Sequence, residues 1–204
     1  MTHKNQLKRK IVFIGDSIIN GFPLKRSLCF VSLFRGLTGH EVINKGENGE
    51  TSAVILARFE EDALAHKPHS IAIHAGGNDL FLGHNISRVF DNLIIMAELA
   101  LQHDIRPVLL TPLPIDPDLA VKRWAPNEHY PEMASNLTLL SNSLINLSKS
   151  TEADLSVIDL NNFYAALFTP ETAETWLSDG LHPTERGHAA LAEYLAKQAR
   201  AGLL

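Results

Sequence analysis

The chain has 204 residues, 45% of them hydrophobic and 20% charged, with 18 Lys or Arg against 23 Asp or Glu and a formal net charge of −5. That length fits one domain, residues 1–204, around a core that needs no staples. The composition excludes disordered and collagen-like chains, no apolar run approaches the ~18 residues of a membrane span, and the acidic balance argues against nucleic acid as a partner.

In chain order, Lys4, Lys8, Arg9 and Lys10 come first. Residues 1–9 read as a basic, solvated N-terminal arm. The apolar run that follows, Ile11–Ile14, is far shorter than the ~7–15 residues of a signal-peptide core. Lys10–Ile14 (KIVFI) is the first predicted strand. Cys29 is the only cysteine, so no internal disulfide can form, and its apolar neighbours read as core packing. A reducing, cytoplasmic location is the expectation.

Glu41–Asn44 (EVIN) is the second predicted strand, and Ile55, Phe59 and Ala63 then recur at helical spacing. Ser70–His74 (SIAIH) is the third strand. Val89, Leu93, Met96 and Ala100 mark the helix after it, with Asn85 as its N-cap. Pro107–Thr111 (PVLLT) is the fourth strand and Leu155–Leu160 (LSVIDL) the fifth. Leu191, Tyr194, Leu195 and Ala199 give the last helix its apolar face, behind an N-cap at Thr184. Continuously apolar strands are covered on both sides. Five strand–helix alternations predict an α/β fold: a flavodoxin-like three-layer α/β/α sandwich on a five-stranded parallel sheet.

Pro112–Pro131 breaks the rhythm with five of the ten prolines. It cannot be one long helix or a central strand. Leu119, Val121, Trp124 and Tyr130 give it apolar surface to pack, so an ordered segment is expected.

Ligands of parallel sheets bind beyond the carboxyl ends of the strands. Gly15-Asp16-Ser17 follows the first strand, Asn44–Gly49 the second and Gly76-Gly77-Asn78-Asp79 the third; Asp179-Gly180-Leu181-His182-Pro183 comes well after the fifth. Ser17, after a glycine that allows a tight turn, is the candidate nucleophile. Asp179 can accept from Nδ1 of His182 and leave Nε2 for the serine. The Gly49 amide and the Asn78 side chain are candidate oxyanion donors. Asp16, an acid that would oppose serine activation, reads as a structural hydrogen-bonding residue. His66 and His69 read as surface or capping residues, and zinc-binding spacings are absent, so no metal is expected.

At these residues the sequence resembles the GDSL, or SGNH, hydrolases. Phe13-Ile14-Gly15-Asp16-Ser17, Asn48-Gly49-Glu50-Thr51-Ser52, Gly76-Gly77-Asn78-Asp79 and Asp179-Gly180-Leu181-His182-Pro183 match its four blocks in order. The resemblance implies the SGNH hydrolase fold and a serine esterase or acylhydrolase acting on esters or thioesters without a cofactor. It implies Ser17 as nucleophile, His182 as base and Asp179 as its partner. The Ser17 amide, the Gly49 amide and the Asn78 side chain would form the oxyanion hole.

Apolar residues beside these blocks form the expected pocket: Ile18, Phe22, Leu80, Phe81, Trp176 and Leu181, with Trp124 and Tyr130 as walls. A small pocket of this kind predicts short-acyl esters as substrates of a monomer or homodimer with no stable membrane insertion. A carbohydrate acetyl esterase is the alternative within the enzyme class. A flavodoxin-like binding domain without catalysis is the alternative outside it.

Overall fold

The computed structural model describes residues 8–150 and 154–204. Most of the expected basic arm, Lys4 included, lies outside the described residues. Its inner end is docked rather than free: Nη1 of Arg9 donates to the carbonyl of Leu204 at 2.8 Å.

β1 (Lys10–Gly15) runs into a one-turn helix, α1 (Ser17–Asn20), and then α2 (Phe30–Thr38). β2 (Glu41–Gly46) precedes α3 (Ser52–Ala57) and α4 (Phe59–Asp62). β3 (Ser70–His74) precedes α5 (Gly77–Phe81) and α6 (Ile86–Gln102). β4 (Arg106–Leu110) precedes α7 (Pro117–Arg123) and α8 (Tyr130–Ser150). β5 (Ser156–Ile158) is followed by α9 (Leu160–Ala165), α10 (Ala173–Trp176) and α11 (Glu185–Arg200). All strand pairs are parallel, in the order β2-β1-β3-β4-β5. The direction of winding therefore reverses between β1 and β3, which opens a crevice at their carboxyl ends.

Period-two alternation sends the strand side chains to two cores. Ile11 and Phe13 pack under α2 and α11 with Phe30, Phe34, Leu191 and Leu195. Val12, Ile14, Ile71 and Ile73 pack on the other face with Ile55, Phe59, Val89, Leu93 and Leu144. A third cluster, with Leu80, Ile115, Tyr130, Met133 and Leu137, fills the space between α5, α7 and α8.

The departures from the sequence reading have local causes. β5 stops at Ile158 because the Asp159 carboxylate accepts from the Asn162 N–H at 2.9 Å and starts α9 there. Ile55, Phe59 and Ala63 are all buried, but on two helices and the turn after them. The break falls at Arg58, whose Nη2 donates to the Gly15 and Lys45 carbonyls at the ends of β1 and β2. Asn85 and Thr184 do cap α6 and α11. The proline-rich segment is ordered around α7. Asp116 caps that helix, and Pro117 occupies its first turn, where a missing N–H leaves no bond unmade. Among the described residues no helix is long and apolar enough to cross a membrane.

Candidate active site

β1 ends at Gly15, where any Cβ would overlap the His74 carbonyl oxygen of β3. The chain then turns sharply. Asp16 caps α1 by accepting from the Ile18 N–H at 3.0 Å. Ser17 becomes the first residue of that helix, with its amide free of any intrahelical partner. Gly21, left-handed, ends the helix after one turn. The serine is held at the sheet edge, 8% exposed.

His182 comes from the turn between α10 and α11. Leu177 and Pro183 bridge across the base of that turn, and the Ser178 N–H donates to the His182 carbonyl at 2.8 Å. Asp179 organises the rest. Its Oδ1 accepts the N–H groups of Leu181 at 2.9 Å and His182 at 2.8 Å, and its Oδ2 accepts from His182 Nδ1 at 2.8 Å. A carboxylate can only accept, so Nδ1 carries the proton and Nε2 is left as an acceptor. Ser17 Oγ lies 3.0 Å from that Nε2. Burial pushes the Asp179 carboxyl up, but the hydrogen bond and charge of His182 and the two backbone N–H groups outweigh it and hold the group below its ordinary value.

The two other expected donors, Gly49 and Asn78, line the same cavity as Ser17 and His182. Gly49 has φ +79, a left-handed backbone that suits glycine. One N–H of the Asn78 carboxamide donates to the Glu50 carbonyl at 2.8 Å, which fixes the amide plane and leaves the second N–H free to donate. The next residue, Asp79, is buried and accepts from both the N–H and the hydroxyl of Ser52, tying α5 to α3. Arg58 braces the loop from below through Glu50 Oε2, at 2.7 Å from Nε.

These groups open into one cavity of about 320 Å³ whose lining includes Ser17, Gly49, Asn78 and His182. Of the expected pocket residues, Ile18, Phe22, Phe81, Trp124 and Leu181 line it. Three do not. Leu80 and Tyr130 are buried in the cluster between α5, α7 and α8, where helix periodicity turns them away from the crevice. Trp176, the last residue of α10, lies under the Arg186 guanidinium, 4.6 Å from the ring centroid, outside the cavity lining.

The sequence reading missed Leu113, Ile115, Met133 and Leu137, which complete the apolar lining. Met133 and Leu137 are one turn apart on α8, a spacing that reads as ordinary core. It also missed His74, which is 1% exposed, lines the cavity and meets Asp16. The arrangement can deprotonate a hydroxyl, hold an anion beside it and accept a small apolar group.

Comparison with known proteins gives the family and the fold. The model of the GDSL-like Lipase/Acylhydrolase family matches residues 13–190. The chain is similar to an acetylxylan esterase of Geobacillus stearothermophilus, 26% identical over 215 aligned positions that cover 93% of each protein. It superposes on the crystal structure of a lipase/acylhydrolase from Enterococcus faecalis with a TM-score of 0.72 and 26% identity, covering 95% of this chain and 96% of that one. A member of the lipolytic G-D-S-L family from Veillonella parvula shares the fold with a TM-score of 0.75 at 19% identity, over 92% and 96% of the two chains.

Proposed function

The chain belongs to the GDSL-like lipase/acylhydrolase family and is a carboxylic ester hydrolase, and from that premise we propose that it cleaves esters of short acyl groups through an acyl-enzyme on Ser17. The observation that carries the reading is the unbroken chain Ser17 Oγ, His182 Nε2, His182 Nδ1, Asp179 Oδ2, with steps of 3.0 and 2.8 Å between residues.

The mechanism follows from those contacts. His182 Nε2 takes the Ser17 proton as Oγ attacks the acyl carbon, and Asp179 stabilises the imidazolium that results. The carbonyl oxygen becomes an oxyanion and accepts from the Ser17 amide, the Gly49 amide and the Asn78 carboxamide. Collapse breaks the bond to the alkoxy oxygen, which leaves with the proton that His182 returns. Water, deprotonated by the same imidazole, then attacks the acyl-enzyme, and a second collapse frees the acid and Ser17. A thioester would follow the same course with a thiol as leaving group.

A cavity of about 320 Å³ sits at the small end of ligand sites. Its walls of Phe81, Leu113, Met133 and Leu137 favour acyl chains from acetyl to about hexanoyl. A sugar acetyl ester is the alternative, favoured by the likeness to the acetylxylan esterase. In this reading residues 1–204 form one catalytic domain, monomeric or homodimeric. A cytoplasmic setting rests on Cys29, a single buried free thiol.

The test has two parts. A fluorophosphonate probe should label the wild type and not Ser17→Ala, with both variants folded. A p-nitrophenyl ester series should peak between acetyl and hexanoyl. Labelling that survives Ser17→Ala would remove Ser17 from the reaction, and a peak at long chains would remove the short-acyl claim. Acetylated xylo-oligosaccharide turned over faster than any simple ester would favour the alternative.

A further inference from the structure

Beside Ser17 the structure buries a second Asp–His pair that the mechanism above does not use. Asp16 is 2% exposed and His74 1%. His74 Nδ1 lies 3.2 Å from Asp16 Oδ1, the same oxygen that accepts from the Ile18 N–H at 3.0 Å. His74 is the last residue of β3, paired with Leu110 of β4, and is among the residues that line the cavity beside Ser17. Among the described residues no Lys or Arg forms an ion pair with Asp16, and Nε2 of His74 has no hydrogen-bond partner, so the polar contact of this ring is with Asp16.

The chemistry of the site makes such a partner necessary. Asp16 must be an acceptor, because its side chain caps the one-turn helix that presents both the hydroxyl and the amide of Ser17. Yet a carboxylate next to the nucleophile places negative charge beside a developing oxyanion, and in a low-dielectric site that repulsion raises the barrier. A buried carboxylate also needs compensation to remain anchored. One backbone N–H supplies part of it, and the imidazole of His74 supplies the rest.

We propose that His74 is a positioning residue for ester cleavage: through Nδ1–H it anchors and compensates the Asp16 carboxylate, so that the cap under Ser17 keeps its geometry without opposing the oxyanion. The proposal rests on Ser17 being the nucleophile. It assigns His74 no contact with substrate; its effect passes through Asp16.

Stereochemistry supplies the test. The carboxamide of Asn can put an N–H where Nδ1 of His sits, whereas Gln carries its carboxamide out to the position of Nε2, away from Asp16. His74→Asn should keep kcat within about three-fold of the wild type, while His74→Gln and His74→Leu should each lower it by about ten-fold or more with KM little changed, since the loss falls on the transition state. Asp16→Asn keeps a cap of equal quality and removes the charge. The double variant Asp16→Asn/His74→Leu should therefore return to within about three-fold of Asp16→Asn alone, the signature of coupled neighbours.

Equal rates for the Asn and Gln variants, a His74→Leu enzyme as fast as wild type, or no relief in the double variant would each overturn the proposal. If His74→Leu does not fold, the Asn and Gln comparison decides alone. Fluorophosphonate labelling of the wild type is run first. An unlabelled wild type defeats the serine mechanism itself, whereas a labelled wild type with indifferent His74 variants defeats only the role of His74.

Discussion

The ring of Phe22 meets the imidazole of His182 edge-on, with centroids 4.8 Å apart and planes at 69°. Trp124 approaches the same imidazole at 5.1 Å, and Phe22 and Trp124 meet each other at 6.0 Å. The imidazole proposed as the base is thus steered by a hydrogen bond at Nδ1 and by aromatic packing around the ring. Both aromatics line the cavity, so the wall proposed to receive substrate also packs against His182.

Trp124→Ala should for that reason do more than widen the mouth. With one neighbour gone the imidazole gains freedom, and kcat on p-nitrophenyl acetate should fall by about ten-fold or more, because misplacement of the order of 1 Å is that expensive. Steady-state kinetics on the folded variant check this. A change confined to KM would make Trp124 a binding residue only.

Asn78→Ala removes one proposed oxyanion donor and should lower kcat by about 10²–10³, with a smaller effect on KM. Asn78→Asp should be worse, since it adds a negative charge where one develops. Kinetic constants on a single short ester settle both points, and an Asn78→Asp variant more active than Asn78→Ala would contradict the assignment.

Leu137, 1% exposed, lines the cavity from α8. Leu137→Ala should extend the preferred acyl chain by about two carbons and cost about 2–5 kcal/mol of stability through the space it opens. The ester series and a denaturant titration are the measurements. An unchanged chain-length profile would mean that acyl groups do not reach α8.

His188 governs part of the acid sensitivity. It is fully buried on α11, where Nδ1 accepts from the Phe30 N–H at 3.2 Å and the ring stacks on Phe30. Burial, with a smaller push from the charge of His182, lowers its pKa from 6.5 to about 4. Between those values the unfolded chain holds more protons than the native protein, so stability falls as pH drops from about 6.5 to about 4. At about 1.4 kcal/mol per pH unit, acidification from pH 7 to 5 should remove about 2 kcal/mol through this group. His188→Asn keeps an acceptor for Phe30 and should lose that much less over the same range in denaturant titrations; an identical loss would assign the acid sensitivity elsewhere.

Much of the candidate site was legible because it sits in short loops and turns: Gly15-Asp16-Ser17 where β1 ends, Asp179-x-x-His182 between α10 and α11. Their residue types make little sense as core, so their chemistry stands out. The resemblance to a known family made their roles explicit. The pocket was less legible because its lining is apolar, and apolar residues serve core and cavity alike. Periodicity could mark Leu137 and Tyr130 as inward-facing, but only the path of α8 decides that Leu137 meets the cavity and Tyr130 the packed interior. Arg58 was illegible for a different reason. A charged residue in a helical pattern reads as solvated, and nothing local says that its guanidinium turns inward to the carbonyls of Gly15 and Lys45. His74 likewise reads as a strand residue until Asp16 is brought beside it.

The two walls of the cavity differ in what else depends on them. On one side Trp124 packs on His182, the Asp116 N–H donates to the Gly180 carbonyl at 2.9 Å, and a Cβ on Gly180, at φ +88, would overlap the backbone of Ala120. On the other side Phe81, Met133 and Leu137 belong to α5 and α8, and Met133 and Leu137 pack into the cluster between the helices. Substitutions around α7 should therefore disturb selectivity and turnover together, whereas substitutions at Met133 and Leu137 should trade selectivity against stability alone. Divergence toward new esters has an open route through α8 and an obstructed one through α7, and a mutant library confined to positions 133 and 137 in a pre-stabilised background would explore substrate range with the catalytic turn left undisturbed.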